Sequence, residues 1–224
     1  MYAGLRVKRA GGITMDKEQR MSYFPFFMEL EGREGLVIGG GSVALRKVKK
    51  LLPYGVKLTV IAPMILPEIK KMEGISYMEI PFTPIAIEGK FFVIAASDEP
   101  KVNREAARLC RERGILINVV DDKEECSFLF PALVKRGELS VGISTGGASP
   151  SAAVYAKERI EELLPEDFGA LLDELAALRS LVMQETPEEQ TRGKVFKALF
   201  TQRLASGASL EEETVRRILA GEEI

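Results

Sequence analysis

Three consecutive glycines, Gly39-Gly40-Gly41, separate the apolar run Leu36-Val37-Ile38 from a segment whose apolar residues Val43, Val48, Leu51 and Leu52 recur at helical spacing. This is the strand–turn–helix in which Gly39 allows the tight turn and Gly41 lets the backbone approach a pyrophosphate. Ala44 takes the place of the third glycine and keeps helix and strand close. The amides that open the helix form an anion site, with the helix dipole behind them. A second apolar run over 56–61 completes a βαβ start and favours dinucleotide binding over a plain glycine loop.

The chain contains no histidine. A Ser-His-Asp triad, a His metal site and a His general base are therefore excluded, and acid–base work falls to a carboxylate, Lys, Tyr or Cys. The best-placed carboxylate is Asp121, which ends the run 115–120 beside the expected cofactor cleft and is expected there to be partly buried. Loss of a hydride from carbon leaves a cation that must shed a proton, and Asp121 suits that task. The competing reading is a loop start or turn cap, and for the neighbouring Asp122 that structural reading is preferred. No resident metal site is expected, because the two cysteines, Cys110 and Cys126, lack ligand spacing.

The elements that must position these residues alternate strand and helix through the first two-thirds of the chain. Strands are expected over 75–80, over the continuously apolar 91–96 and over 115–120, the last two reading as parallel strands buried on both faces. A helix follows Asp98-Glu99-Pro100, with Asp98 or Glu99 as its cap and Ala106, Ala107, Leu109 and Cys110 on its inner stripe. The predicted fold is α/β: a Rossmann-like doubly wound parallel sheet, with ligands at the carboxyl ends of the strands. Ala95, Ala96 and Ser97 are small enough to line that cleft. The second strand ends in Ile61-Ala62-Pro63, offering neither the acid of an NAD site nor an Arg for NADP, so these residues alone leave the choice open.

The pattern then changes. Runs over 127–134 and 139–145 flank a turn at Lys135-Arg136-Gly137-Glu138 and read as a hairpin. Gly146-Gly147 precedes a helix with Ser149 as N-cap and Pro150 in its first turn, running to about residue 164. That loop is a second anion-ready element, fit for a substrate carboxylate or simply a capped turn. Beyond Pro165 the chain reads as helix, with Leu171, Leu172, Leu175, Leu178 and Val182 as one stripe. Capping boxes are expected at Thr186 with Glu189 and at Ser209 with Glu212. The expected domains are an extension over 1–22, a nucleotide-binding domain over 23–133, a dimerisation region over 134–164 and a helical domain over 165–224. Met21 reads as an alternative natural start, leaving a loose extension ahead of it.

The chain has 224 residues, 46% hydrophobic and 29% charged, with a net charge of −2. That balance describes an ordinary globular protein and argues against a nucleic-acid surface. No apolar run approaches a bilayer-spanning length and no signal peptide is evident, so a cytoplasmic protein without a membrane partner is expected.

Taken in order, 39–47, 58–63, Ala95-Ala96-Ser97-Asp98, Asn118-Val119-Val120-Asp121, Ser127-Phe128, Pro131 and 144–150 resemble one family, precorrin-2 dehydrogenase/sirohydrochlorin ferrochelatase, also found at the front of siroheme synthase. The likeness runs from about Tyr23 to Pro165, and the chain looks like the stand-alone form. It implies an NAD-dependent oxidation of precorrin-2 to sirohydrochlorin, with ferrous iron as a further substrate in some members and cobalt an alternative. It places NAD at Ser42 and Val43 and at Pro63 and Met64, and the acid/base carboxylate at Asp121. Ser144 and Thr145, with Gly146, fall at the family's Ser-x-Gly-Gly loop near the active site, Thr145 standing where some members have a second serine. A homodimer is implied too, and the apolar residues Val141, Ile143, Val154, Ile160 and Leu163 need a surface that one Rossmann face cannot supply. Arg46, Lys47, Lys135 and Arg136 are candidate partners for the tetrapyrrole carboxylates. The reading from a different class is a non-catalytic NAD-sensing regulatory domain.

Overall fold

The computed structural model describes residues 5–8, 12–15 and 23–222, and the chain divides into two compact units at Phe130/Pro131. Ahead of the first unit's core, β1 (Leu5–Lys8) and β2 (Gly12–Met15) pair antiparallel, where a loose extension was expected. Met21 lies outside the described residues.

Five parallel strands form the core of the first unit: β3 (Glu34–Ile38), β4 (Lys57–Ile61), β5 (Ile75–Met78), β6 (Phe92–Ala95) and β7 (Leu116–Val119), in the order β5-β4-β3-β6-β7. The expected doubly wound sheet is present. Alternate side chains of a strand point to opposite faces, so the continuous apolar runs must be covered twice. Leu36, Ile38, Val93 and Ile117 pack with Ala106, Ala107 and Cys110 of α3 (Pro100–Arg113). Val37, Val60 and Ile94 pack with Ala44 and Val48 of α1 (Ser42–Leu51) and Ile69 of α2 (Pro67–Lys70). β5 is an edge strand and stops at Met78, earlier than the run to 80 suggested. α3 is entered differently from the expectation: among the described residues neither Asp98 nor Glu99 caps it with a side chain. Asn103, one turn inside, reaches back instead; its Oδ1 accepts from the Ser97 N–H at 3.1 Å and its Nδ2 donates to the Ser97 carbonyl at 2.9 Å.

The second unit opens with the hairpin β8 (Ala132–Arg136) and β9 (Leu139–Ile143). Its first strand begins later than the expected 127, because Ser127 is held by β7: its N–H donates to the Ile117 carbonyl at 2.8 Å and its Oγ accepts from the Ile117 N–H at 2.8 Å. α4 (Pro150–Leu163) follows, with Ser149 Oγ accepting from the Ala152 N–H at 3.1 Å, the cap the sequence predicts. The remaining helices are α5 (Phe168–Glu185), α6 (Glu189–Ser206) and α7 (Glu212–Leu219). They share a core of Val182, Val195, Leu199, Val215 and Ile218. Buried Arg203 donates to Glu174 at 2.8 Å and Asp167 at 2.7 Å, and Glu174 also accepts the Leu210 N–H at 2.6 Å. Neither expected capping box forms. The N-caps are Glu188 and Glu211, so Thr186 and Ser209 stand two residues too early, and Thr186 is buried instead.

The three glycines after β3 differ in what surrounds them. A Cβ on Gly40 would lie 2.1 Å from the Met64 carbonyl oxygen, whereas one on Gly41 meets nothing within 4 Å. Gly40→Ala should therefore cost about 1–3 kcal/mol of stability through forced backbone displacement. Gly41→Ala should stay within about 0.5 kcal/mol, and urea unfolding of the two variants measures the contrast.

Candidate dinucleotide-binding site

The strand order reverses between β3 and β6, and ligands of open α/β sheets lie at such a switch point. Three chain exits meet there. The Gly39 N–H donates to the Ile61 carbonyl at 2.9 Å, the Ala96 N–H to the Ile38 carbonyl at 2.7 Å, and the Leu66 N–H to the Gly40 carbonyl at 2.9 Å. Gly39 has φ +121°, and a Cβ on it would sit 2.2 Å from the Ala96 carbonyl oxygen. Gly39 and Gly40 thus let the turn pack backbone to backbone against the loops after β6 and β4. Gly40 was missed by the sequence reading, although the unbroken run of three glycines carried the signal.

Gly41 is the N-cap of α1, extended, with no side chain capping it and no acidic residue in the first turn among the described residues. The amides of Ser42 and Val43 open the helix under unfilled space, and that arrangement fits a pyrophosphate. Beside it, Ala62 is buried, Pro63 and Met64 are exposed, and Ala96 and Ser97 are half-buried at the end of β6. The predicted nucleotide residues Gly39, Gly41, Ser42, Val43, Ala62, Pro63, Met64, Ala96 and Ser97 are thereby gathered at the carboxyl ends of β3, β4 and β6.

Asp121 lies just past β7, which pairs with β6, and the Val120 N–H donates to the Ala95 carbonyl at 2.9 Å. It is exposed, not partly buried as expected, and lies in the turn that follows β7. Its φ is +60°, the one positive value at a non-glycine among the described residues. Aspartate tolerates this left-handed conformation better than most side chains. Such strain persists only where the surroundings fix it, and here Cys126 brackets the turn. Cys126 Sγ accepts from the Val119 N–H at 3.1 Å and lies 3.2 Å from the Asp122 carbonyl. Burial pushes that thiol's pKa up, so Cys126 acts as a structural tie and not as a thiolate. Asn118 Nδ2 donates to the Phe128 carbonyl at 3.0 Å. The signal for Asn118 was a polar residue inside an otherwise apolar strand.

Lys47 was named among the basic candidates, and it occupies a definite place. Its Nζ reaches Asn118 Oδ1 at 3.5 Å and stands 3.9 Å from the Phe130 ring centroid. It therefore links the helix behind the glycine turn to the loop that carries Asp121. Burial, with Lys50 and Arg46 nearby, lowers its pKa to about 8, while Cys126 and Asp121 pull the other way. Arg46 is exposed. In the second unit, Arg136 donates to the Lys135 carbonyl at 3.2 Å. There too the Ser144–Thr145–Gly146 loop is stitched locally. Ser144 Oγ accepts from the Gly146 N–H at 3.2 Å, while Thr145 Oγ1 accepts from the Ser149 N–H at 3.2 Å and donates to its carbonyl at 3.0 Å. Among the described residues no trio of Cys, Asp and Glu is gathered to hold a metal, and no helix is long and apolar enough to cross a membrane.

Comparison with known proteins agrees with this geometry. Residues 26–132 match a family described as "Putative NAD(P)-binding". The siroheme synthase of Thioalkalivibrio sulfidiphilus is 37% identical over 182 residues, covering 80% of this chain and 37% of that one. Siroheme synthase 2 of Aeromonas salmonicida is 36% identical over 188 residues, covering 84% of this chain and 39% of that one. The solved structure of "SirC, precorrin-2 dehydrogenase" superposes with a TM-score of 0.69 at 25% identity, covering 89% of this chain and 98% of that one. The chain is thus similar to siroheme synthases and to a precorrin-2 dehydrogenase. It spans about two-fifths of the length of the siroheme synthases that it matches. Residues 26–132 carry the NAD(P)-binding match.

The state of Lys47 is directly measurable. In the folded protein it should titrate near pH 8, against about 10.4 for an ordinary lysine. Between those values the unfolded chain holds the extra proton, so stability contributed by this site should rise as pH rises through that window. NMR of the Lys47 side chain should show the lowered midpoint, and Lys47→Met should remove that part of the pH dependence.

Proposed function

We propose that the protein dehydrogenates precorrin-2 to sirohydrochlorin with NAD as the hydride acceptor. The observation that carries this reading is the open, uncapped start of α1 after β3 at the switch point, with one strand, β6, between it and the strand that leads to Asp121. NAD, when bound, supplies the site that takes the hydride. The chain's own residues do the rest. The Ser42 and Val43 amides hold the pyrophosphate, Ala62, Pro63 and Met64 flank the adenosine, and Ala96 and Ser97 leave room for the nucleotide to come close. Asp121 takes the proton that the substrate loses after the hydride, in a site without histidine.

Ferrous iron is proposed as a second substrate, its insertion delivering pyrrole protons to the same carboxylate. Ser144, Thr145 and Gly146 are proposed to meet substrate carboxylates. The free thiols Cys110 and Cys126 suit a reducing compartment, the cytoplasm. A homodimer is proposed from the second unit, where Val154, Tyr155 and Leu163 of α4 are 47, 63 and 80% exposed. A self-complementary two-fold contact is the commonest way to cover such a face. Light scattering at micromolar concentration should give twice the chain mass, and a monomer overturns the assembly.

Incubation with NAD and precorrin-2, followed by absorbance, tests the reaction. Asp121→Asn keeps the turn and should lose about 10²–10⁴-fold in turnover, because an amide cannot accept the proton. Gly41→Val should leave the fold intact and abolish NAD binding in calorimetry, since its side chain fills the space that the pyrophosphate needs. A protein that binds NAD and leaves precorrin-2 unchanged would be the sensing domain instead.

A further inference from the structure

The second strand of a dinucleotide fold usually ends in an acid that holds the adenosine ribose, and the residue type there separates NAD from NADP. β4 ends in Ile61 and continues as Ala62-Pro63, with no acid at all. The sheet supplies one from the neighbouring strand. Ile61 is in register with Met78 of β5, and the Ala62 N–H donates to the Met78 carbonyl at 3.2 Å. Glu79, the next residue, therefore stands beside Ala62 at the carboxyl edge of the sheet.

An ion pair fixes its carboxylate. Lys70 Nζ of α2 lies 2.6 Å from Glu79 Oε1, and the Ile65 backbone lies near enough to help keep the carboxyl below its ordinary pKa. Ile65 belongs to the loop that packs directly on the glycine turn, since a Cβ on Gly40 would lie 2.7 Å from Ile65 Cα. An ionised carboxylate offers about four lone-pair sites, so the Lys70 contact leaves it with acceptor capacity. The Glu79 side chain is 43% exposed, open to a ligand. Lys70, the cation nearest to it, is committed to Glu79 and also faces the Tyr77 ring at 6.0 Å.

We propose that Glu79 is the residue that selects NAD over NADP, accepting the ribose hydroxyls and repelling a 2′-phosphate. The inference rests on the reading of the glycine turn as a dinucleotide site. It predicts a role for Lys70 as well. While paired, Lys70 is masked, and without the Glu79 charge it becomes a cation for the 2′-phosphate.

Calorimetric titration of the full chain with NAD and with NADP, in the absence of substrate, tests this. The wild-type chain should bind NAD the more tightly. Glu79→Gln, isosteric and on an exposed edge, should weaken NAD and tighten NADP, lowering the preference by roughly tenfold or more, the scale of a hydrogen bond to a charged group. Lys70→Gln leaves Glu79 uncompensated and should move the preference the other way, by weakening NADP. Adding Lys70→Gln to Glu79→Gln should cancel the gain for NADP. Thermal unfolding confirms that each variant is folded. An unchanged preference in both single variants, with NAD still bound, overturns the role of Glu79 alone. A wild-type chain that binds neither dinucleotide overturns the site reading itself, and this inference with it.

Discussion

Backbone packed on backbone at the exit of β3 is the constraint from which the rest of the first unit follows. Gly39 lies against the Ala96 carbonyl and Gly40 against the Met64 carbonyl, each closer than any Cβ permits. With those two contacts made, the ends of β3, β4 and β6 converge and α1 begins directly above them. The buried Ala44 then lets that helix lie close on the sheet. The anion-ready start of α1 is thus a consequence of packing and does not require any special side chain. A cation at that place would have been an alternative, but amides cost nothing to desolvate beyond what the helix already leaves unpaired.

The same economy governs the loop after β7. A left-handed aspartate is costly, and the chain holds it with groups that do no chemistry themselves. Cys126 is tied to Val119 and Asp122, Ser127 to Ile117, and Asn118 to Phe128. Lys47 adds a cross-link from α1 by way of Asn118 and the Phe130 ring. Its half-buried ammonium sits among carbonyl, thiol and aromatic groups, so its charge is easily lost. The helix behind the nucleotide turn and the loop carrying the proposed base are therefore mechanically connected within one unit.

The second unit is held by different means. Its core is small, and buried Arg203, shared between Asp167 and Glu174, draws α5 and α6 together while Glu174 secures the approach to α7. A close approach of Gly137 in the hairpin turn to Gly169 at the start of α5 needs the absence of side chains on both. What is left exposed on α4 includes the apolar Val154, Tyr155 and Leu163, which is why assembly enters the functional reading.

Much was legible in the sequence because it depends on local periodicity. Continuous apolar runs specify strands buried on both faces, the glycine run specifies a turn without room for side chains, and the lack of histidine narrows acid–base chemistry to a carboxylate, Lys, Tyr or Cys. Ser149 and Pro150 announced their helix correctly, since an N-cap acts within its own turn. What the sequence left undecided depends on groups distant along the chain. Asp121 stands exposed in a left-handed turn that Cys126 brackets from further along the chain. Whether Ser127 begins a hairpin or edges the first sheet turns on its bonds to Ile117. The capping boxes failed at Thr186 and Ser209 because the first turn of each helix was set by packing, two residues later than the pattern allowed. Where an acid stands beside the second strand was invisible for the same reason: Ala62 and Glu79 become neighbours only when β4 and β5 pair, and strand register is a property of the folded sheet.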